Sequence, residues 1–91
     1  MDIVVKCAGL ASEASFWQAY LDAAKPEGAA NFGRNLDAFR DAILGGGPGW
    51  PGECVLRLVN FDQLRAIDGG RLCIDLEWLA AESRHVTIRF E

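Results

Sequence analysis

Three short segments rich in β-branched and aliphatic residues limit the folds open to this chain, because helical segments separate each one from the next. They cover residues 2–7, 53–60 and 85–91. Parallel strands need a crossover connection, which is usually a helix, so this alternation predicts a parallel sheet in an α/β fold. The middle segment is largely apolar on both alternating faces, which favours a central strand over an edge strand.

Four helices are predicted between these strands. Their caps can be recognised from residue type: Ser12, Asn35 and Asn60 can each accept a hydrogen bond from a first-turn N–H, and Gly45 suits the left-handed residue that ends a helix. The predicted order is β-α-α-β-α-α-β, and we expect one domain over residues 1–91. The helices are expected within residues 13–24, 31–44, 61–68 and 71–83.

Charge and cysteine usage narrow the function classes. The net charge of −4 disfavours nucleic acid as a direct partner and favours a basic protein. The N-terminus lacks the pattern of a signal peptide, and no apolar run approaches the ~20 residues of a membrane span, so we expect a cytoplasmic protein with no membrane contact. Cys7, Cys54 and Cys73 are odd in number and widely spaced, which predicts free buried thiols.

Catalytic signatures are missing from the sequence. His85 is the single histidine, and the glycine-rich stretch 45–52 lacks the Lys-Ser/Thr of a phosphate-binding loop. Asp37 and Asp41 alone offer too few oxygen ligands for a typical Mg²⁺ site. We therefore expect no enzyme activity, no cofactor and no metal.

The stretch 31–44, NFGRNLDAFRDAIL, combines an apolar stripe with an acidic face. Asp37 and Asp41 lie four residues apart on one side of the predicted helix, where like charges repel by roughly 0.2–0.5 kcal/mol. The acidic pair is either an ordinary solvated face or a site for a cationic partner. The opposite stripe contains Leu36, Phe39 and Ile43.

This stretch resembles the inhibitory loop and second helix of the barstar family, small intracellular proteins that block the active sites of secreted microbial ribonucleases. The resemblance implies a three-stranded parallel sheet packed against about four helices. It also implies a protein that is monomeric when free and binds a basic ribonuclease one to one, with carboxylates mimicking RNA phosphates. The matching residues are Phe32, Gly33, Asn35, Leu36, Asp37, Ala38, Phe39 and Asp41.

The resemblance also implies a set of partner-binding residues. Gly33 is expected to allow a positive φ or a close approach of its backbone to the partner. The family uses an acid in its last helix at the rim of the contact, and Glu77 is assigned that role, although the register from the third strand places Trp78 there. The full set is Asn31, Phe32, Gly33, Arg34, Asn35, Asp37, Ala38, Arg40, Asp41, Leu44 and Glu77.

Several alternatives stay open. Asn31 occupies a position where the family often has a tyrosine, so a binding or immunity module directed at another toxin or a regulatory partner is the second functional hypothesis. Phe32 either contacts the partner or packs onto the start of the helix. Leu44 is either an apolar contact or a partly buried helix end, and Arg40 can pair with a neighbouring acid. The three tryptophans are expected in the core or at its edge: Trp17, Trp50 and Trp78.

Overall fold

A three-stranded parallel sheet and three α-helices make up the fold. The computed structural model describes residues 1–91. The central strand is β2, which pairs in parallel with β1 on one side and β3 on the other, as predicted. The elements are β1 (Asp2–Lys6), α1 (Glu13–Ala24), α2 (Leu36–Gly45), β2 (Cys54–Val59), α3 (Arg71–Glu82) and β3 (Val86–Phe90).

One face of the sheet packs against the helices and contributes to the hydrophobic core. Ile3 pairs in register with Leu56, which in turn pairs with Ile88, so these three side chains line up on the same face. They belong to a single cluster of 23 buried residues that includes the inward faces of the helices. The other face of the sheet is open, with Val4 exposed and Val59 half-buried.

The predicted fourth helix over 61–68 is wrong. Residues Phe61–Gly70 form 3₁₀ turns on either side of a kink, where Ile67 is extended and Asp68 and Gly69 have φ of 50° and 64°. The apolar residues of this segment are spaced three apart, which fits the three residues per turn of a 3₁₀ helix. The fold therefore has three α-helices instead of about four, and a short 3₁₀ turn at Ala29–Asn31 was not predicted.

The cap predicted at Asn60 is also wrong. Asn60 has a left-handed φ of 60°, and its side chain makes no capping hydrogen bond. At Ser12 the prediction is confirmed, because Ser12 Oγ accepts from the N–H of Ser15 and Ser15 Oγ accepts in return from the N–H of Ser12, both at 3.1 Å. Lys25 is left-handed before Pro26 and ends α1, as expected.

An aromatic cluster holds α2 against α1. The ring of Phe39 on α2 lies 5.2 Å from Trp17 and 4.9 Å from Tyr20 on α1, between ring centroids. Such pairs contribute about 0.5–1.5 kcal/mol each beyond the area that they bury. The hydroxyl of Tyr20 donates to the carbonyl of Gly49 at 2.7 Å, which also ties the loop before β2 to α1. This packing fixes the position of α2 relative to α1.

All three cysteines are free and buried, as predicted. Burial, together with the nearby Cys73 thiol, raises the pKa of Cys7 to about 11. Burial likewise raises the pKa of Cys54 and of Cys73. None of the helices has the length and apolar character needed to cross a membrane.

Candidate functional site

The start of α2 is fixed by Asn35. Its Oδ1 accepts a hydrogen bond from the N–H of Ala38 at 2.8 Å, and its Nδ2 donates to the carbonyl of Gly33 at 3.2 Å. The predicted cap is confirmed, and the second bond also ties the preceding loop to the helix. At the other end, the left-handed residue is Gly46 and not Gly45, because the helix continues for one residue more than expected.

The carboxylates of Asp37 and Asp41 project from the exposed side of α2. Neither accepts a side-chain hydrogen bond from another residue, and neither has a cationic group within 4.0 Å. Asp37 lies in the first turn, where the partial positive charge of the helix N-terminus favours a negative side chain. The acidic face thus presents two carboxylates whose acceptor positions are free for a ligand.

Arg40 lies beside this acidic face but is directed towards α3. It donates from both Nη atoms to the two carboxylate oxygens of Glu82, at 3.2 and 2.5 Å. The hydrogen-bonded Glu82 carboxylate raises the pKa of Arg40, and the negative charge of Asp37 adds a smaller contribution. The guanidinium of Arg40 is thus hydrogen-bonded to Glu82 and to neither aspartate.

The ring of Phe32 lies in the core. Only 5% of the residue is exposed, and its centroid is 6.0 Å from both Trp17 and Tyr20 and 6.5 Å from Phe39. Of the two alternatives for Phe32, the structure shows the one in which it packs beneath the start of the helix. Contact of Phe32 with a partner stays a prediction. Its role in the site is to support the loop from below.

The tight turn before α2 does not use a left-handed glycine. Arg34, and not Gly33, has the positive φ, at 51°. A Cβ on Gly33 would lie 3.0 Å from the Cβ of Ala38, so the close approach at Gly33 is made within the chain. Arg34 Nη1 donates to Oε1 of Gln18 on α1 at 2.7 Å, which anchors the loop. Asn31, the last residue of the 3₁₀ turn that precedes this loop, is exposed.

Leu44 lies at the last turn of α2 and is half-buried, packed against the core cluster. This position is the partly buried helix end of the two alternatives, and a contact of its accessible part with a partner stays a prediction. Ala38 is similarly half-buried against Gly33.

Glu77 lies about 140° around α3 from Glu82, the residue of α3 that pairs with α2. Its nearest cation is Arg65 of the 3₁₀ segment, at 3.9 Å. The acid of α3 that reaches the acidic face is Glu82, through its pair with Arg40. The structure therefore does not bring Glu77 together with the other predicted site residues.

The exposure of Trp78, also on α3, differs from the expectation that it lies in the core or at its edge. The indole is not in the core, since 69% of the residue is exposed. Trp17 is buried and Trp50 is half-buried, as expected. The position of Trp78 could have been read from helical spacing, because it lies opposite the buried stripe of Leu72, Leu76 and Leu79.

A shallow cleft of about 300 Å³ lies elsewhere, between the end of α1 and the loop before β2. Trp50 lines it, and the ring of His85 lies 6.5 Å from Trp50. His85 Nδ1 is 3.6 Å from Glu53. No group of three or more His, Cys, Asp or Glu side chains is arranged to hold a metal ion.

Comparison with known families gives one match. The family described as barstar (barnase inhibitor) matches residues 1–89 of the chain. The match covers the acidic face, the loop before it and α3. No curated protein matches the sequence.

Proposed function

This chain belongs to the barstar family, the family of barnase inhibitors, and from that premise we propose that it inhibits a basic secreted ribonuclease by covering the active site of that enzyme with residues 31–44. The proposed complex contains one copy of each protein. The inhibitor would act in the cytoplasm of the producing cell, before the enzyme is exported.

The acidic face supplies the chemistry of recognition. A ribonuclease stabilises the negative phosphoryl group of its substrate with cationic side chains. A carboxylate offers the same acceptor geometry, and an arginine of the enzyme can bind it through two parallel hydrogen bonds. Asp37 and Asp41 would therefore occupy positions that the RNA phosphates take in the substrate complex.

The rigidity of α2 supports this mode of binding. Aspartate has a short side chain, and the helix below it rests on the aromatic cluster of Trp17, Tyr20 and Phe39. Little conformational freedom is lost when such a surface docks, so more of the interaction energy is retained as affinity. The loop before α2 is held by hydrogen bonds from the side chains of Arg34 and Asn35.

The observation that carries the proposal is the contrast between the aspartates and Arg40. The chain has a guanidinium next to the acidic face, yet it pairs with Glu82 and leaves Asp37 and Asp41 without ionic partners. A surface helix under selection for stability alone would gain from a cation at one of these positions. A partner that brings its own cations explains why both remain acidic.

The proposal is tested by titrating the protein into RNA-cleavage assays with a panel of purified basic, guanyl-preferring microbial ribonucleases. Inhibition of at least one enzyme should reach completion at one equivalent. Asp41→Ala should lose inhibition, whereas Asp2→Ala, which removes the same charge from the outer face of the sheet, should keep it. A folded protein that inhibits no enzyme of the panel would contradict the proposal.

Asn31 favours a second candidate function. It is exposed just before the loop, where an asparagine can donate and accept hydrogen bonds but buries little apolar area. A module of the same fold directed at a different toxin or a regulatory partner would fit a polar loop of this kind. Binding to such a protein without inhibition of any ribonuclease would favour that alternative.

A further inference from the structure

An exposed apolar stripe runs along α3 on the side away from the core. Trp78 is 69% exposed and Ile74, one turn earlier on the same side, is 49% exposed. Trp78 is also one turn from Glu82, since both intervals are four residues. Exposure of a large indole gives no benefit to the folded chain alone, because the burial of its apolar surface is favourable.

The stripe is continuous with the acidic face of α2. The ion pair between Arg40 and Glu82 joins α2 to α3. Trp78 precedes Glu82 by one turn, about 6 Å along α3. A standard protein interface buries about 800 Å² on each partner, which corresponds to a patch with a radius of about 16 Å. A partner centred on Asp37 and Asp41 would thus extend over Trp78.

The chemistry around Trp78 favours a cation from that partner. The three carboxylates that flank it on α3 each have an arginine nearby: Glu82 with Arg40, Glu77 with Arg65, and Asp75 with Arg71. The indole face is then the group on this stripe that remains free to attract a positive charge. Guanidinium and ammonium groups bind preferentially over the face of tryptophan.

We infer that Trp78, flanked by Ile74, forms a second contact with the ribonuclease that binds α2, and that its indole packs against an arginine or lysine side chain at the rim of the enzyme's cleft. This inference rests on the proposed function. Tryptophan and arginine are the residue types most often found to dominate the energy of an interface. The contact would add an apolar and cation–π component to the electrostatic recognition by the aspartates.

The test compares variants for affinity to the ribonuclease of the panel that the wild-type protein inhibits most strongly. Trp78→Ala should weaken binding at least tenfold, chiefly through faster dissociation, and Trp78→Phe should restore part of the loss. Ile74→Ala should have a smaller effect. Val4→Ala is the matched control, because Val4 is an exposed apolar residue on the outer face of the sheet, and its affinity should equal that of wild type.

Tryptophan fluorescence provides an independent readout. The emission difference between wild type and Trp78→Phe isolates the exposed indole and should shift to shorter wavelength on complex formation. If Trp78→Ala binds as tightly as wild type while Asp41→Ala does not, the inference is overturned and the proposed function stands. If the wild-type protein binds no ribonuclease, both are overturned.

Discussion

Arg40 on α2 and Glu82 on α3 form a two-bond ion pair across 42 residues of sequence. The pair lies at the surface, with both side chains about half exposed. It links the helix that carries the acidic face to the helix that carries Trp78. Its importance is geometric, because an exposed ion pair contributes little to stability.

Removal of this pair should have a small effect on folding. Glu82→Gln should lower the Tm by only about 1–5 °C, since exposed pairs are weak and a small domain shifts by several degrees per kcal/mol. The difference from wild type should shrink in 1 M salt. Thermal unfolding followed by circular dichroism measures both, and a large loss that persists in high salt would show that the pair acts as a buried contact.

Gly49 is predicted to tolerate substitution poorly. Its φ is +95°, and an added Cβ would lie 2.7 Å from the buried ring of Phe32. Gly49→Ala should destabilise the protein by more than about 2 kcal/mol, because it combines backbone strain with displacement of a core ring. Gly52→Ala is the control: its φ is +83° but nothing lies within 4 Å of the new Cβ, so only the strain is added. Equal losses in urea unfolding would contradict the role given to Phe32.

The raised pKa of Cys7 predicts loss of stability at alkaline pH. Its pKa is about 11 in the folded protein and roughly 8.5 in an unfolded chain. The folded state therefore holds its proton more tightly, and this contribution is fully present below the unfolded pKa and lost as the pH rises towards 11. Urea unfolding of wild type and Cys7→Ala should show a shallower decline for the variant between pH 9 and 11, by about 1–2 kcal/mol. Parallel curves would place the thiol outside the core.

Association with a ribonuclease should depend strongly on salt. A protein of net charge −4 that approaches a cationic cleft is steered by long-range attraction. Raising the salt to about 1 M shortens the screening length to about 3 Å and should slow association by an order of magnitude or more. Dissociation should change much less. Stopped-flow rates that are insensitive to salt would mean that the acidic face is not the contact.

The features that could be predicted from sequence are those set by nearby residues. The caps at Ser12 and Asn35 follow from side-chain chemistry within three residues, and both are confirmed. The parallel sheet follows from the alternation of strands and helices, and the central position of β2 follows from its two apolar faces. Each of these depends on local pattern more than on the packing of distant elements.

The errors at the helix over 61–68 and at its cap Asn60 are local, because apolar residues three apart also fit a 3₁₀ turn. The other differences from expectation involve the orientation of one element relative to another. Helical spacing shows that Glu77 and Glu82 lie on different sides of α3, but only the packed structure shows which side meets α2. Phe32 follows a short loop, and its burial depends on the aromatic cluster contributed by α1 and α2. Trp78 was expected in the core or at its edge, although its position about 200° around the helix from Leu76 favours the exposure that is observed.

The most direct test of the account is the paired measurement of stability and inhibition for Asp41→Ala. The side-chain carboxylate of Asp41 has no ionic or hydrogen-bonding partner and lies one turn from Asp37. Its removal should therefore leave stability in urea unchanged or raise it by roughly 0.2–0.5 kcal/mol. The same change should weaken inhibition of the ribonuclease by at least about 2 kcal/mol, or roughly 30-fold, with Asp2→Ala as the charge-matched control. A large drop in the unfolding midpoint with inhibition intact would show that Asp41 is structural and would contradict the proposed binding face.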